Sequence, residues 1–156
     1  MFHKAYDLEF KEGTLLEVKF RSGEVKQYDM RSLYAEYPVF RALEDRELFR
    51  SGKLQGAYGI VWNDELDIAV EEIFEKGITV RIEEVPAGLI AADAVKTARA
   101  SADMSQKELA ALTGIDQSDI SKIERGFANP SVHTLNRIAK ALGGELVISI
   151  IKTEQN

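Results

Sequence analysis

Gln117, Ser118, Ser121 and Lys122 sit in the stretch IDQSDISKIERG, whose apolar Ile120 and Ile123 stand three residues apart. If this stretch is helical, the two isoleucines share one face and the four polar side chains line the other. An amide, two hydroxyls and an ammonium on one outward face have the donors and acceptors to bond base edges and phosphate oxygens in a major groove. A solvated surface has the same composition. The elements that would hold this face therefore decide how it is read.

Upstream, Ser105 and Glu108 in SQKE are spaced for a capping box, which starts a helix with an apolar face of Leu109, Ala110 and Leu112. Gly114 is the residue able to take the left-handed conformation that ends it, and Asp116 is expected to cap the next helix. Two short helices joined by a tight turn follow. A longer helix is expected over residues 89–102, packing through Ile90, Val95 and Ala98. Beyond the pair, Gly126 is a C-cap and Phe127 to Pro130 is loop. Ser131 caps a further helix that buries Val132, Leu135, Ile138, Ala139 and Leu142 and ends at Gly143-Gly144. The run from Glu145 to Ile151, ELVISII, predicts a strand that needs a partner, because it is apolar on nearly both faces.

The segments SQKELAALTG, IDQSDISKIERG and NPSVHTLNRIAKALG closely resemble the phage-repressor-like helix-turn-helix family over about residues 90–144. Ser105, Gln106, Gly114, Ile120, Glu124, Gly126, Pro130 and Leu135 carry the likeness. The resemblance implies that Gln106 bonds a phosphate and that Gln117, Ser118 and Lys122 face bases. Ser121 would touch base or backbone, and Asn129 with the amides opening the last helix would hold the opposite strand. It also implies a buried ion pair between Arg99 and Glu124, which has its own logic, since an inward carboxylate must find a cation. The family's fifth helix is replaced here by the expected strand. Leu146, Val147, Ile148 and Ile150 then become candidates for dimerisation, as in antitoxin-type members, with pairing to the N-terminal sheet as the rival. A twofold dimer would set two reading helices roughly 34 Å apart on a near-palindromic site.

The N-terminal half has a different texture. Period-two runs at residues 5–10, 15–20 and 24–30, with turns at Lys11-Glu12-Gly13 and Ser22-Gly23, predict an antiparallel meander. In the second run Leu16, Val18 and Phe20 alternate with Glu17 and Lys19, as for a strand with one wet face. Leu33, Tyr34, Tyr37, Phe40 and Leu43 predict short helical pieces interrupted by Pro38, with another at residues 45–50. Strand character returns over residues 54–62, a short helix over 69–76 and a final strand over 78–85. LLEVKFRSGEVKQYDM, Phe40, Leu43, Phe49 and GIVWNDELDIA together resemble a small bacterial family called domain of unknown function 2442, whose members sit beside or are fused to DNA-binding regulators or occur in toxin-antitoxin pairs. That likeness implies a fold and no chemistry.

Val85-Pro86-Ala87-Gly88 is the expected boundary. The fold class is thus α+β: residues 1–86 form an acidic α+β domain, regulatory or partner-binding, and residues 87–156 a four-helix helix-turn-helix domain with a C-terminal strand. Of 20 Lys+Arg and 26 Asp+Glu, 12 and 18 fall in residues 1–86 and 8 and 8 in residues 87–156. The whole excess of acid is N-terminal, and DNA binding by the neutral second half should be modest, salt-sensitive and helped by dimerisation.

The 45% hydrophobic content suits a folded core. There is no cysteine, and His3 and His133 are too far apart in sequence to make a metal cluster by themselves, so neither metal nor cofactor is expected. No leader and no membrane span are expected, which points to the cytoplasm. Asp64, Glu65 and Asp67 read as a turn, and Glu71, Glu72 and Glu75 as a wet helix face. Trp62 reads as core and His3 as surface. Without a phosphate loop or nucleophile motif, no enzyme is expected. The expectation is a homodimeric regulator of transcription binding double-stranded DNA, a repressor or autoregulator. The alternatives are an antitoxin whose N-terminal domain binds a basic toxin, or an adaptor without DNA binding, suggested by Asp116 and Asp119 on the reading helix.

Overall fold

The computed structural model describes residues 2–152. The chain divides into two compact units, Met1–Val85 and Pro86–Asn156.

In the first unit, alternating apolar residues build the strands β1 (Ala5–Phe10), β2 (Leu15–Phe20) and β3 (Glu24–Asp29). β2 pairs antiparallel with both neighbours, setting Val18 opposite Leu8 and Lys26. Two 3₁₀ turns, Met30–Leu33 and Pro38–Glu44, carry the chain away from β3. Pro38 opens the second turn, where its missing N–H costs nothing. Helix α1 (Arg46–Arg50) follows, capped by Asp45, whose carboxylate accepts from the amides of Glu47 and Leu48. β4 (Lys53–Gln55), β5 (Gly59–Asn63) and β6 (Leu66–Ala69) form a separate three-stranded antiparallel sheet. Helix α2 (Val70–Lys76) leads to β7 (Ile78–Ile82), which returns to the first sheet beside β3 and gives the order β1-β2-β3-β7. The strand expected over residues 54–62 is therefore two strands of a hairpin, because Gly56 in a left-handed conformation turns the chain between them.

One core joins these elements: Leu16, Val18, Phe20 and Tyr28 from the first sheet, Phe40, Leu43 and Phe49, Ile60 and Trp62 from the second, and Ile73 from α2. Trp62 is buried and its indole N–H donates to the carbonyl of Phe49 at 2.8 Å. His3 is more than surface: its ring stacks on Phe74 at 3.4 Å, and Glu71 accepts from its backbone N–H at 2.9 Å and contacts Nδ1 at 2.8 Å. The expected wet face of β2 also needs correction. Glu17 is 3% exposed, because Arg81 of β7 and Gln27 of β3 cover it and donate to its two oxygens at 2.7 and 2.8 Å. Those bonds, Arg81's first, outweigh burial and hold the Glu17 carboxyl down at about 2.

The second unit is all helical: α3 (Gly88–Ser101), α4 (Gln106–Thr113), α5 (Gln117–Glu124) and α6 (Val132–Ala141). Val95, Leu109, Ile120, Ile123 and Ile138 form its core, with Leu135 and Leu142 packed against it. Four apolar residues assigned inward face solvent instead. Helix α3 buries Leu89, Ala92 and Val95 while Ile90 is exposed, α4 buries Leu109 and Thr113 while Leu112 is exposed, and Val132 is exposed at the start of α6. Ala98 is also exposed.

No strand forms at residues 145–152, and neither sheet includes them. Leu146 is half-buried, while Val147, Ile148 and Ile150 are exposed, Ile150 almost completely. A strand requires a second backbone to satisfy its N–H and C=O groups, and within the described residues this segment has none.

Candidate nucleic-acid interface

Helix α4 begins as its sequence dictates. The hydroxyl of Ser105 accepts from the amide of Glu108 at 3.0 Å, and the Glu108 carboxylate accepts from the Ser105 amide at 2.7 Å. The latter bond holds the Glu108 carboxyl below its ordinary range. Its C-terminus is closed by Gly114 at φ +73, a conformation a Cβ would strain. The Thr113 hydroxyl donates to Leu109 and accepts from the amide of Ile115, while Arg137 of α6 donates to the Thr113 carbonyl. A cation at the negative end of α4 is the favourable placement. The turn between α4 and α5 is thus held by groups from α4 and α6 and by its own Ile115 amide.

Helix α5 turns Ile120 and Ile123 inward and leaves Gln117, Ser118 and Lys122 exposed and Ser121 half-exposed. Asp116 stands at its N-cap position without a capping hydrogen bond from its side chain, contrary to expectation. Its contribution there is its charge beside the positive helix end. Lys122 lies 3.7 Å from Asp119, one turn back on the exposed side, so part of the cationic character of this face is offset within the helix. Arg125 follows, with its guanidinium 5.4 Å over the ring of the exposed Phe127.

The orientation of α5 is fixed from beneath. Glu124, with a side chain only 4% exposed, accepts from Arg99 Nε at 2.5 Å and from Arg99 Nη2 at 2.9 Å. A third donor is Gln106 Nε2 at 2.9 Å. Arg99 also donates to the carbonyl of Met104 at 2.7 Å. One guanidinium therefore ties the end of α3, the approach to α4 and the inner side of α5. Burial pushes the Glu124 carboxyl up, but the bonds from Arg99 and Gln106 outweigh it and the net displacement is downward.

Gln106 donates one of its two amide hydrogens to Glu124, so its side chain braces α5 as well as standing at the position for which a phosphate contact is expected. Its backbone N–H is one of the first-turn amides of α4, which have no intrahelical partner. Asn129 is exposed in the loop before α6. At the start of α6 the Ser131 hydroxyl accepts from Thr134 at 3.0 Å, leaving the amides of Val132 and His133 as orphan first-turn donors. The structure therefore sets the helical face of Gln117, Ser118, Ser121 and Lys122 on a braced α5, with open amides at two neighbouring helix starts. The Gln106 to Glu124 bond and the placement of Arg125 over Phe127 were not identified from sequence. Among the described residues no group of His, Asp and Glu is arranged to hold a metal ion, and no helix is long and apolar enough to cross a membrane.

Two family models match parts of the chain. Residues 95–148 match the family model described as helix-turn-helix, and residues 5–79 match that of protein of unknown function (DUF2442). An uncharacterized HTH-type transcriptional regulator of Sinorhizobium fredii is 44% identical over 35% of this chain and 28% of its own length. A Mycobacterium tuberculosis protein named "Putative antitoxin HigA2" is 43% identical over 33% of this chain and 52% of its own. The chain thus spans about half or less of the length of these relatives. A helix-turn-helix transcriptional regulator of known structure from Vibrio cholerae is 33% identical over 37% of this chain and 33% of its own, with a TM-score of 0.36.

Proposed function

We propose that this protein is a sequence-specific DNA-binding regulator of transcription, acting in the cytoplasm as a homodimer on a near-palindromic operator, with its own promoter as one target. The observation that carries this reading is the exposed polar face of α5, held in place by the buried Arg99 to Glu124 pair beneath it. Gln117, Ser118 and Lys122 read bases, Ser121 contacts base or backbone, and Asn129 with the first amides of α4 and α6 holds phosphates. The match of residues 95–148 to helix-turn-helix proteins supports it. Dimerisation through Leu146, Val147, Ile148 and Ile150 supplies the second backbone that the exposed tail lacks, and residues 1–86 serve as the regulatory or partner-binding part.

A second reading has one specific observation in its favour, the likeness to a protein named as an antitoxin. In it the acidic N-terminal unit binds a basic toxin, and the complex represses its own promoter. Both readings are tested by titrating the full chain onto the DNA upstream of its own gene and onto a scrambled duplex over a series of salt concentrations. Preference for its own promoter, declining with salt, is expected. Equal or absent binding to the two duplexes by folded protein would overturn autoregulation.

A further inference from the structure

The loop after α5 carries an aromatic ring that its own fold does not bury. Gly126 takes φ +80, and two hydrogen bonds close the helix around it: the Gly126 amide donates to the Ile123 carbonyl at 3.1 Å and the Phe127 amide to the Lys122 carbonyl at 3.0 Å. In this type of helix end, an apolar side chain following the glycine commonly folds back onto the last turn. Here the position it would cover is Lys122, and the ring of Phe127 stays 78% exposed. The ring is nevertheless held in place. Its backbone is fixed by those two bonds and by Leu89, whose Cδ2 would lie 2.6 Å from a Cβ at position 126. The Arg125 guanidinium sits 5.4 Å over the ring, and Arg125 Nε donates to the Ser121 carbonyl at 3.3 Å.

Ser118, Ser121, Lys122 and Arg125 recur at helical spacing, so Arg125 continues the polar face of α5 toward Phe127. That face offers hydrogen-bond donors and acceptors and no apolar group, since Ile120 and Ile123 point inward. The apolar feature of a major groove is the C5 methyl group of thymine. We propose that Phe127 reads it: on the footing that α5 lies in a DNA major groove, as in the proposed function, the ring contacts a thymine methyl at the edge of each half-site, beyond the base pairs reached by Lys122. Phe127 is then a specificity-determining residue, and the contact removes ring surface from water. DNA is the occupant because the ring lies against the reading face and is paired with a cation. Arg125 makes no ion pair among the described residues, so its charge is open to a phosphate beside the same base.

The test uses the full chain and two versions of the DNA upstream of its own gene. One is made with thymidine and the other with 2′-deoxyuridine throughout, which lacks the C5 methyl and keeps every hydrogen-bonding atom. Affinities of wild type, Phe127→Ala and Phe127→Leu are measured on both duplexes over a series of salt concentrations. Wild type is expected to favour the thymidine duplex by about fourfold more per half-site than Phe127→Ala does, the worth of one buried methyl group. Phe127→Leu should retain most of that preference. Both variants change an exposed residue and are expected to melt like wild type, with unaltered salt dependence of binding, because no charge is removed. Equal thymidine-to-uridine ratios in wild type and Phe127→Ala, from a wild type that prefers the upstream DNA to a scrambled duplex, would overturn this inference alone. A Phe127→Ala defect with a reduced salt dependence would also overturn it, since the effect would then run through Arg125. A wild type without that preference would overturn the regulator reading, and this inference with it.

Discussion

Replacing Arg99 with alanine leaves the Glu124 carboxylate beneath α5 with a single donor. In the intact protein that carboxylate has three, two of them from Arg99, and its side chain is 4% exposed, so water cannot take over. Removing one partner of a buried ion pair costs about 3–5 kcal/mol, chiefly through the charge left behind. Gln106 retains its bond, which favours the lower end, about 3 kcal/mol. For a unit of this size, about 4–8 °C of melting temperature corresponds to each kcal/mol, so a fall of roughly 12–24 °C is expected in the unfolding of the second unit. Urea and thermal unfolding of the full chain, followed by circular dichroism, will read it.

The sign of the pH dependence adds a second check. In the wild type the folded-state pKa of Glu124 lies below its ordinary 4.5, so the pair's contribution is present above that pH and fades as pH falls through the folded value. In Arg99→Ala the stranded carboxyl shifts upward instead, and acid relieves the mutant. The gap between the two proteins therefore narrows as pH falls. An Arg99→Ala protein that melts like wild type at pH 7, or a gap that widens in acid, would refute the role assigned to this pair.

Two further outcomes follow from the same geometry. Glu17, held at about 2 by Arg81 and Gln27, contributes stability to the first unit that is complete above about pH 4.5 and lost as pH falls toward 2. Because Arg81 is 41% exposed and partly screened, the loss should be only about 1–2 kcal/mol; urea titrations across that range will show it, and Glu17→Gln should flatten the dependence. Gly126→Ala introduces a Cβ at φ +80 that would meet Leu89 Cδ2 at 2.6 Å, combining backbone strain with overpacking. A loss of about 1–3 kcal/mol in the second unit is expected, measured by urea unfolding.

What the sequence made legible was local. The capping box of Ser105 and Glu108 spans one turn of chain, and the two isoleucines of α5 fix its inner face without reference to anything distant. The meander β1 to β3 was legible for the same reason, since its strands alternate and its turns are short. What failed was set by distant partners. Helix α3 is rich in alanine and offers more than one apolar stripe; the stripe of Leu89, Ala92 and Val95 is buried, and Arg99 on the same helix reaches Glu124, 25 residues away. The burial of Glu17 depends on Arg81, 64 residues later. Strands of three and four residues, β4 and β6, are too short to show a period. The tail has the composition of a strand, but composition cannot supply the second backbone that makes one.

DNA reading by α5 is tested by the affinity of Lys122→Ala and Gln117→Ala proteins for the upstream DNA and for a scrambled duplex. Both residues are exposed, so the fold should survive the changes. Gln117→Ala is expected to cost about 1–3 kcal/mol on the specific site and much less on scrambled DNA. Lys122→Ala should weaken specific binding and lower its salt dependence. Affinities unchanged by both substitutions, in proteins that melt like wild type, would contradict the claim and leave α5 as a solvated face.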